Sequence, residues 1–422
     1  MTAPATVAPA IVHVLGAGLA GLAAAVALAA AGRRVAVYEA SPAAGGRCRS
    51  YHDRDLDLTV DNGNHLLLSG NRSAAAYLAA IGAEATYSIG PAAFPFLDLA
   101  TGARWTLRPN AGRIGWWVLD PARRVPGVGV LAHLRLARLA WVRDDRSVAA
   151  ALPHDPLYRR LAAPLAVAAL NTAPETGLAR LLGAVLRETL LAGGAACRPL
   201  LPRAALGASL IDPAVAFLAA RGAAPRFGWR AVGLEVADGR VTALRGTGGS
   251  VPLGAEDAVV MALPPWVAGE LLPELIVPDG FAPILNLHYR QEAPAGAPPF
   301  VGLIGGAAEW VFVKPGHVSV TVSAAQSLID APAEELAARL WPETCAALGL
   351  GAAPLPPFRV VKEKRATIEA SAAQEARRPG PRTALANLLL AGDWTATGLP
   401  GTIEGAIRSG QRAAALLQHP SR

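Results

Sequence analysis

The sequence predicts an α/β protein with a Rossmann-like dinucleotide-binding domain joined to an α+β part, and three observations predict it. An apolar strand, a glycine-rich turn and a helix of small residues follow one another near the N-terminus; a second strand then ends on a carboxylate; a strand, a Gly-Asp pair and a helix recur near the C-terminus. Val12 to Leu15 read as the first buried strand. Gly16 permits a tight turn, Gly18 lets backbone approach a pyrophosphate, and Gly21 lets the helix pack close to the sheet. Leu19 and Ala20 open that helix, whose unpaired N–H groups face phosphate; it runs to Ala31 and stops at Gly32. Val35 to Tyr38 form the second strand, and Glu39 closes it 21 residues after Gly18. A carboxylate there accepts hydrogen bonds from an adenosine ribose and repels a 2′-phosphate, so FAD or NAD is expected rather than NADP. An alanine-rich helix with chance glycines is the competing reading, and it leaves the terminal Glu unexplained. Gly45, Gly46 and Arg47 then bring a second glycine turn and a cation to the flavin side of the dinucleotide, which separates FAD from NAD.

Composition sets limits. The 422 residues suffice for two or three domain-sized units. Hydrophobic residues make up 52% and charged residues 17%, yet no apolar run reads as a membrane span and MTAPATVAPA lacks the basic start of a secretory signal, so a cytoplasmic protein is expected. The net charge of +7 is carried almost wholly by arginine, with lysine only at 314, 362 and 364, and no nucleic-acid motif accompanies it. Cys48, Cys197 and Cys345 are scattered, which excludes a disulfide framework and a zinc site; Cys48, inside GGRCRS, is either a flavin tether or redox thiol, or an ordinary buried thiol.

The GGR turn after Glu39, with LLLAGDWTATGLPGTIEGAIRSGQRAA at Leu388 to Ala415, resembles the FAD-containing amine oxidase and phytoene desaturase superfamily. DNGNHLLLSGN at Asp61 to Asn71 and GLPGTIEGAIRSG at Gly398 to Gly410 resemble more narrowly its squalene-associated desaturases, the hydroxysqualene dehydroxylases. The resemblance implies an amine-oxidase-like fold of the GR2 type: a discontinuous FAD domain from residues 10–80, 222–265 and 358–422, and an α+β substrate domain from 81–221 and 266–357. It implies removal of the hydroxyl of hydroxysqualene to give squalene at the expense of reduced flavin, hence a long isoprenoid substrate.

Within that frame FGWRAVGLEVADGRVTALRG reads as two strands turning at Asp238 and Gly239, and Asp257 to Pro265 as a buried strand stopped by prolines. The resemblance places adenine near the backbone of Ala231. Ile284 to Arg290 and Trp310 to Ser323 alternate like sheet strands, a floor under a helical section able to enclose an apolar ligand. Residues 128–146 read either as a basic amphipathic helix lying in a headgroup layer, on the inner face of the membrane, or as an ordinary core-facing helix with solvated arginines.

Losing an allylic hydroxyl by ionisation needs an acid and a dry pocket. The resemblance puts DNGNH beside the flavin, so His65 is the candidate catalytic acid, with loop ordering as its alternative role, and Asn64 is a loop-shaping residue beside the cofactor. Gly392 and Asp393 are expected at the ribityl or pyrophosphate part of FAD, and Gly401, Thr402 and Ile403 at the start of a helix whose positive end faces the reduced ring. Glu404 reads as structural. An amine oxidase would place a Tyr where Thr402 stands, leaving Trp394 as a single aromatic wall; a carotenoid-type desaturase shares every other feature. GLIGG at Gly302 to Gly306 lies in a strand context with no following helix, so the electron donor is external.

Overall fold

A computed structural model describes residues 10–418. Most of the N-terminal segment read for a targeting signal lies outside them. Four parallel strands, in the order Leu388–Leu390, Ala258–Met261, Ile11–Leu15 and Arg34–Tyr38, form the dinucleotide-type sheet. Strands buried on both faces must be apolar throughout, and AVVM and LLL are. One face packs against the fingerprint helix Leu19–Ala30, the closing helix Ile403–Gln418 and the helix Asp212–Ala219. The other meets a three-stranded meander, Ala231–Ala237, Arg240–Gly246 and Gly249–Pro252, through Trp229, Val241 and Leu244. Its first hairpin turns at Asp238 and Gly239, as the sequence suggests; the third strand is an addition.

Seven strands form the second sheet, in the order Phe358–Ile368, Phe281–Tyr289, His317–Val322, Trp310–Lys314, Phe300–Ile304, Phe94–Asp98 and Arg104–Leu107. The helix Ala333–Leu348 covers one face with Leu336, Leu340 and Trp341 against Leu285, Leu287, Val318 and Val320. The aromatic end of the opposite face packs with the helices Val130–Ala137, Ala163–Leu170 and Ala179–Glu188. Among the described residues, no helix is long and apolar enough to cross a membrane.

Three expectations change. Phe358–Ile368, assigned above to the closing cofactor segment, is an edge strand of the seven-stranded sheet, and the chain rejoins the four-stranded sheet only at Leu388. Leu206, Leu210, Ala214 and Leu218, assigned to the 81–221 stretch, lie in the core of the fingerprint helix, because a helix of small residues leaves a groove that larger side chains must fill. The helix expected across Val128 to Val142 is an α-helix only over Val130–Ala137 and tightens to a 3₁₀ turn at Arg138–Trp141. That turn docks on Gly183, where a Cβ would stand 2.0 Å from the Leu139 carbonyl oxygen.

The closing helix reaches the fingerprint helix by the same device: a Cβ at Gly410 would stand 2.1 Å from the carbonyl oxygen of Ala20. Gly410→Val is therefore expected to destabilise the protein by about 1–3 kcal/mol through overpacking, and to lower bound flavin, measured by thermal melting and flavin absorbance.

Candidate active site

The three fingerprint glycines stand in three different settings. Gly16 takes φ +100°, and its N–H donates to the Tyr38 carbonyl at 2.7 Å. A Cβ at Gly21 would lie 1.9 Å from the Gly16 oxygen, so the helix sits hard on the turn. A Cβ at Gly18 would meet nothing within 4 Å, so the one glycine meant to approach a ligand is the one with open space before it. The Glu39 carboxylate accepts from the N–H groups of Ala17 and Ser41, both at 2.8 Å, which fixes the strand end against the loop. Trp229 donates its backbone N–H to the Glu39 carbonyl, which brings the segment leading to Ala231 against the end of the second strand.

The second glycine turn folds onto the first: Gly45 donates to the Ala17 carbonyl at 2.8 Å and bridges Gly18. Gly45 and Gly46 both have positive φ, +112° and +56°, a sharp reversal that aims the next side chain across the site. Arg47 donates to Asp393 Oδ1 at 2.6 Å and to the Ala366 carbonyl at 2.5 Å, joining segments more than three hundred residues apart. Its side chain stays 43% accessible while Asp393 is buried, so the guanidinium lines a cleft. A Cβ at Gly401 would lie 3.2 Å from the second Asp393 oxygen, which places Gly392, Asp393, Gly401, Thr402 and Ile403 beside Arg47.

The DNGNH loop is held from the seven-stranded sheet. Lys314 Nζ donates to buried Asp61 at 2.5 Å; the other Asp61 oxygen accepts from Ser50 at 2.6 Å and from the Leu206 N–H at 2.9 Å. Burial alone would raise this carboxyl, but the lysine and these donors hold it below the usual carboxylate range. Asn64 Nδ2 donates to Ser319 at 2.7 Å and to Thr321 at 3.0 Å, while its Oδ1 is buried with no partner among the described residues. His65 lines a small pocket with Asn64, Phe312, Lys314 and Leu206. Burial lowers its pKa to about 4, Asp61 opposing and Lys314 and Arg47 adding. The ring is neutral at physiological pH, so it is poorly suited to the acid role expected of it, which needs a group that still holds a transferable proton there.

The sheet face toward this loop is graded. One register row runs Trp105, Phe96, Gly302, Trp310, Thr321, Asn286, aromatic at one end and polar at the other. Gly302 is small because the rings of Phe96 and Trp310 close over it, 5.7 Å between centroids. The next row sets Phe300 and Phe312 before Ser319 and His288.

Cys48 is buried and its thiol is pushed up to about 12 by desolvation, so the tether or redox reading fails in favour of an inert thiol. Trp394 is buried in the core behind the four-stranded sheet and donates to the Leu263 carbonyl at 2.9 Å, so it forms no aromatic wall. Thr402 Oγ1 accepts from the Gly405 N–H and so opens the closing helix, and Glu404 accepts from Ser73 and Ala74 at the start of a neighbouring helix. Sequence reasoning missed Lys314 as a site residue, having noted it only as one of three lysines and as the start of a turn. It also missed Arg378, which is buried and donates to the carbonyls of Asp393, Thr395 and Leu399. Among the described residues no cluster of His, Cys, Asp or Glu is placed to hold a metal.

Lys314→Met leaves Asp61 buried without its partner and is expected to cost about 3 kcal/mol at pH 7. The wild-type carboxyl has a depressed folded-state pKa, so its contribution is present above the unfolded value and is lost as pH falls through the folded one. In the variant burial raises the same carboxyl. Urea melts should therefore show a gap that is widest near neutrality and narrows in acid.

Residues 19–418 match the family described as flavin containing amine oxidoreductase. The chain is 51% identical over 410 residues to a protein of Rhodopseudomonas palustris named hydroxysqualene dehydroxylase, covering 96% of this chain and 98% of that one. It is 48% identical over 408 residues to a protein of the same name from Sinorhizobium fredii, covering 96% and 97%. Cyclohexylamine oxidase from Brevibacterium oxydans shares the fold with a TM-score of 0.71 at 17% identity, over 98% of this chain and all of that one. A redesigned putrescine oxidase does so with the same score and identity, covering 98% and 100%. Open space before Gly18 and an unpartnered buried Asn64 Oδ1 fit the flavin cofactor of this family; the chain belongs to the flavin-containing amine oxidoreductases and, within them, to the hydroxysqualene dehydroxylases.

Proposed function

We propose that the protein removes the allylic hydroxyl of hydroxysqualene to give squalene, using FAD. The observation that carries this reading is likeness to hydroxysqualene dehydroxylases over nearly the whole chain. Reduced FAD, when bound, supplies the hydride. The residues of this chain bind and orient it: Gly16, Gly18, Leu19, Ala20 and Gly21 take the pyrophosphate, Glu39 the ribose, and Ala231 the adenine side. Gly45, Gly46, Arg47, Asn64, Gly392, Asp393, Gly401, Thr402 and Ile403 take the ribityl chain and ring. The burial of Trp394 removes the wall an amine cage would need. The electron donor is external.

The substrate arrives from a lipid surface. Ile114, Trp116 and Leu119 on one loop, with Leu131, Leu134 and Trp141 on the segment 128–146, expose apolar side chains, Ile114 at 83% and Leu131 at 71%. Trp117 packs edge-on to His133 at 5.7 Å, which brings the two segments into one patch. Exposed Arg113, Arg138 and Arg143 have no carboxylate partner among the described residues, a cationic rim that suits anionic headgroups.

Anaerobic mixing of the reduced enzyme with detergent-dispersed hydroxysqualene should reoxidise one flavin per squalene formed. Absence of reoxidation, with the oxidised enzyme instead bleached by a polyene, rejects dehydroxylation in favour of desaturation. Replacing Leu131 and Trp141 by Asp should weaken binding to anionic vesicles about tenfold or more while leaving turnover of detergent-dispersed substrate intact; unchanged sedimentation with vesicles rejects the membrane surface.

A further inference from the structure

We infer that Asn64 tunes the flavin toward its reduced state, as a fixed hydrogen-bond acceptor for a ring N–H that only the reduced cofactor carries; this rests on the FAD reading above. The loop that carries Asn64 leaves the cradle at the second glycine turn, where Asn62 Nδ2 donates to the Arg47 carbonyl at 3.3 Å. Asn64 and His65 then line the small pocket that has Leu201, Leu206, Phe312 and Val313 among its walls. A ring edge that hands over hydride needs apolar walls of this kind to keep water away.

Two chains of hydrogen bonds fix which way the Asn64 amide points. His288 is buried and kept neutral by desolvation, and its Nε2 faces the Asp61 carbonyl at 3.0 Å. A carbonyl only accepts, so the ring hydrogen sits on Nε2 and Nδ1 is left as an acceptor. The Ser319 hydroxyl, 3.0 Å from Nδ1, therefore donates to it, and the Ser319 oxygen accepts from Asn64 Nδ2 at 2.7 Å. In the second chain Asn286 Nδ2 donates to the Asn62 carbonyl at 3.4 Å, which turns Asn286 Oδ1 toward the Thr321 hydroxyl at 2.9 Å. With its hydrogen committed there, Thr321 Oγ1 also accepts from Asn64 Nδ2, at 3.0 Å. Turning the amide over would set its oxygen against two oxygens that have no hydrogen to give. Asn64 Oδ1 is thus held on the other side, buried, with no donor among the described residues. Lys314, the cation on the same pocket, is taken by Asp61.

An acceptor locked in this way distinguishes the two redox states of a flavin. The oxidised ring presents N5 as a lone pair, which an oxygen repels; uptake of two electrons with a proton at N5 makes an N–H, which the same oxygen accepts. A buried acceptor without a donor is costly, and the reduced ring relieves that cost where the oxidised ring does not. Favouring the reduced form eases loading from an external electron donor. Ser319, Thr321 and His288 act through Asn64, as positioning residues.

Anaerobic reductive titration of the FAD-loaded protein against a dye of known potential tests this without substrate, so the result does not depend on whether hydroxysqualene turns over. Asn64→Ala should lower the affinity for reduced relative to oxidised FAD about tenfold, a fall of about 30 mV in the two-electron midpoint potential. Ser319→Ala combined with Thr321→Val removes both committed oxygens and frees the amide to turn. That variant should shift the potential in the same direction by a smaller amount, with Asn64 itself intact. A potential unchanged in both variants overturns the inference. So does equal weakening of both redox states, which assigns Oδ1 to a donor that FAD carries throughout. Loss of the binding preference for hydroxysqualene over squalene in Asn64→Ala, at an unchanged potential, also overturns it and gives Oδ1 to the substrate hydroxyl. Wild-type protein that binds no FAD defeats the cofactor reading and this inference together.

Discussion

The buried pair between Lys314 and Asp61 is the contact on which the site depends. It joins the DNGNH loop, which leaves the cofactor side of the molecule, to a strand of the seven-stranded sheet, and no other buried ion pair among the described residues spans the two. A buried pair is a weak source of net stability but a strong source of position, because removing either partner strands the other. Here the carboxylate accepts from three donors, Lys314, Ser50 and the Leu206 amide, and the Asp61 backbone carbonyl faces His288 at 3.0 Å. The loop cannot slide along the sheet without breaking several of these at once. Asn64 is carried with it onto Ser319 and Thr321.

The same pair sets the proton chemistry around it. The lysine charge helps to keep His65 and His288 neutral, His288 at about 3, burial being the larger cause for both. A cationic imidazole next to Arg47 and Lys314 would concentrate positive charge where a substrate cation must form. Neutral rings avoid that, and the positive charge that remains is matched to carboxylates at Asp61 and Asp393.

What was legible in the sequence is what short stretches of chain determine. The fold class and FAD follow from Gly16, Gly18, Gly21 and Glu39 because their spacing is fixed by one strand, one turn and one helix. The buried strand at Ala258–Met261 and the hairpin at Asp238 are local in the same way. Lys314 and Asp61 lie 253 residues apart, and Arg378 works on carbonyls whose directions only the folded loop defines. Neither carries a pattern of its own. Gly183 and Gly410 were legible as glycines but not as contacts, since nothing local announces the carbonyl that meets them. The boundary near 358 failed for a related reason: an edge strand such as Phe358–Ile368, half exposed and carrying Lys362 and Lys364, alternates too weakly to declare its sheet.

Direction of electron flow is the property that separates a dehydroxylase from a desaturase on this fold. Oxidising a polyene withdraws hydride from an apolar carbon and then needs a base to take a proton from the cation. Reductive dehydroxylation needs the converse, an acid before the cation and a hydride after it. On this sheet Thr321, Ser319 and Asn286 are buried beneath Asn64 and bonded to it, so the polar end of the graded face anchors the DNGNH loop, while Phe96 and Phe300 at its aromatic end are buried in the core.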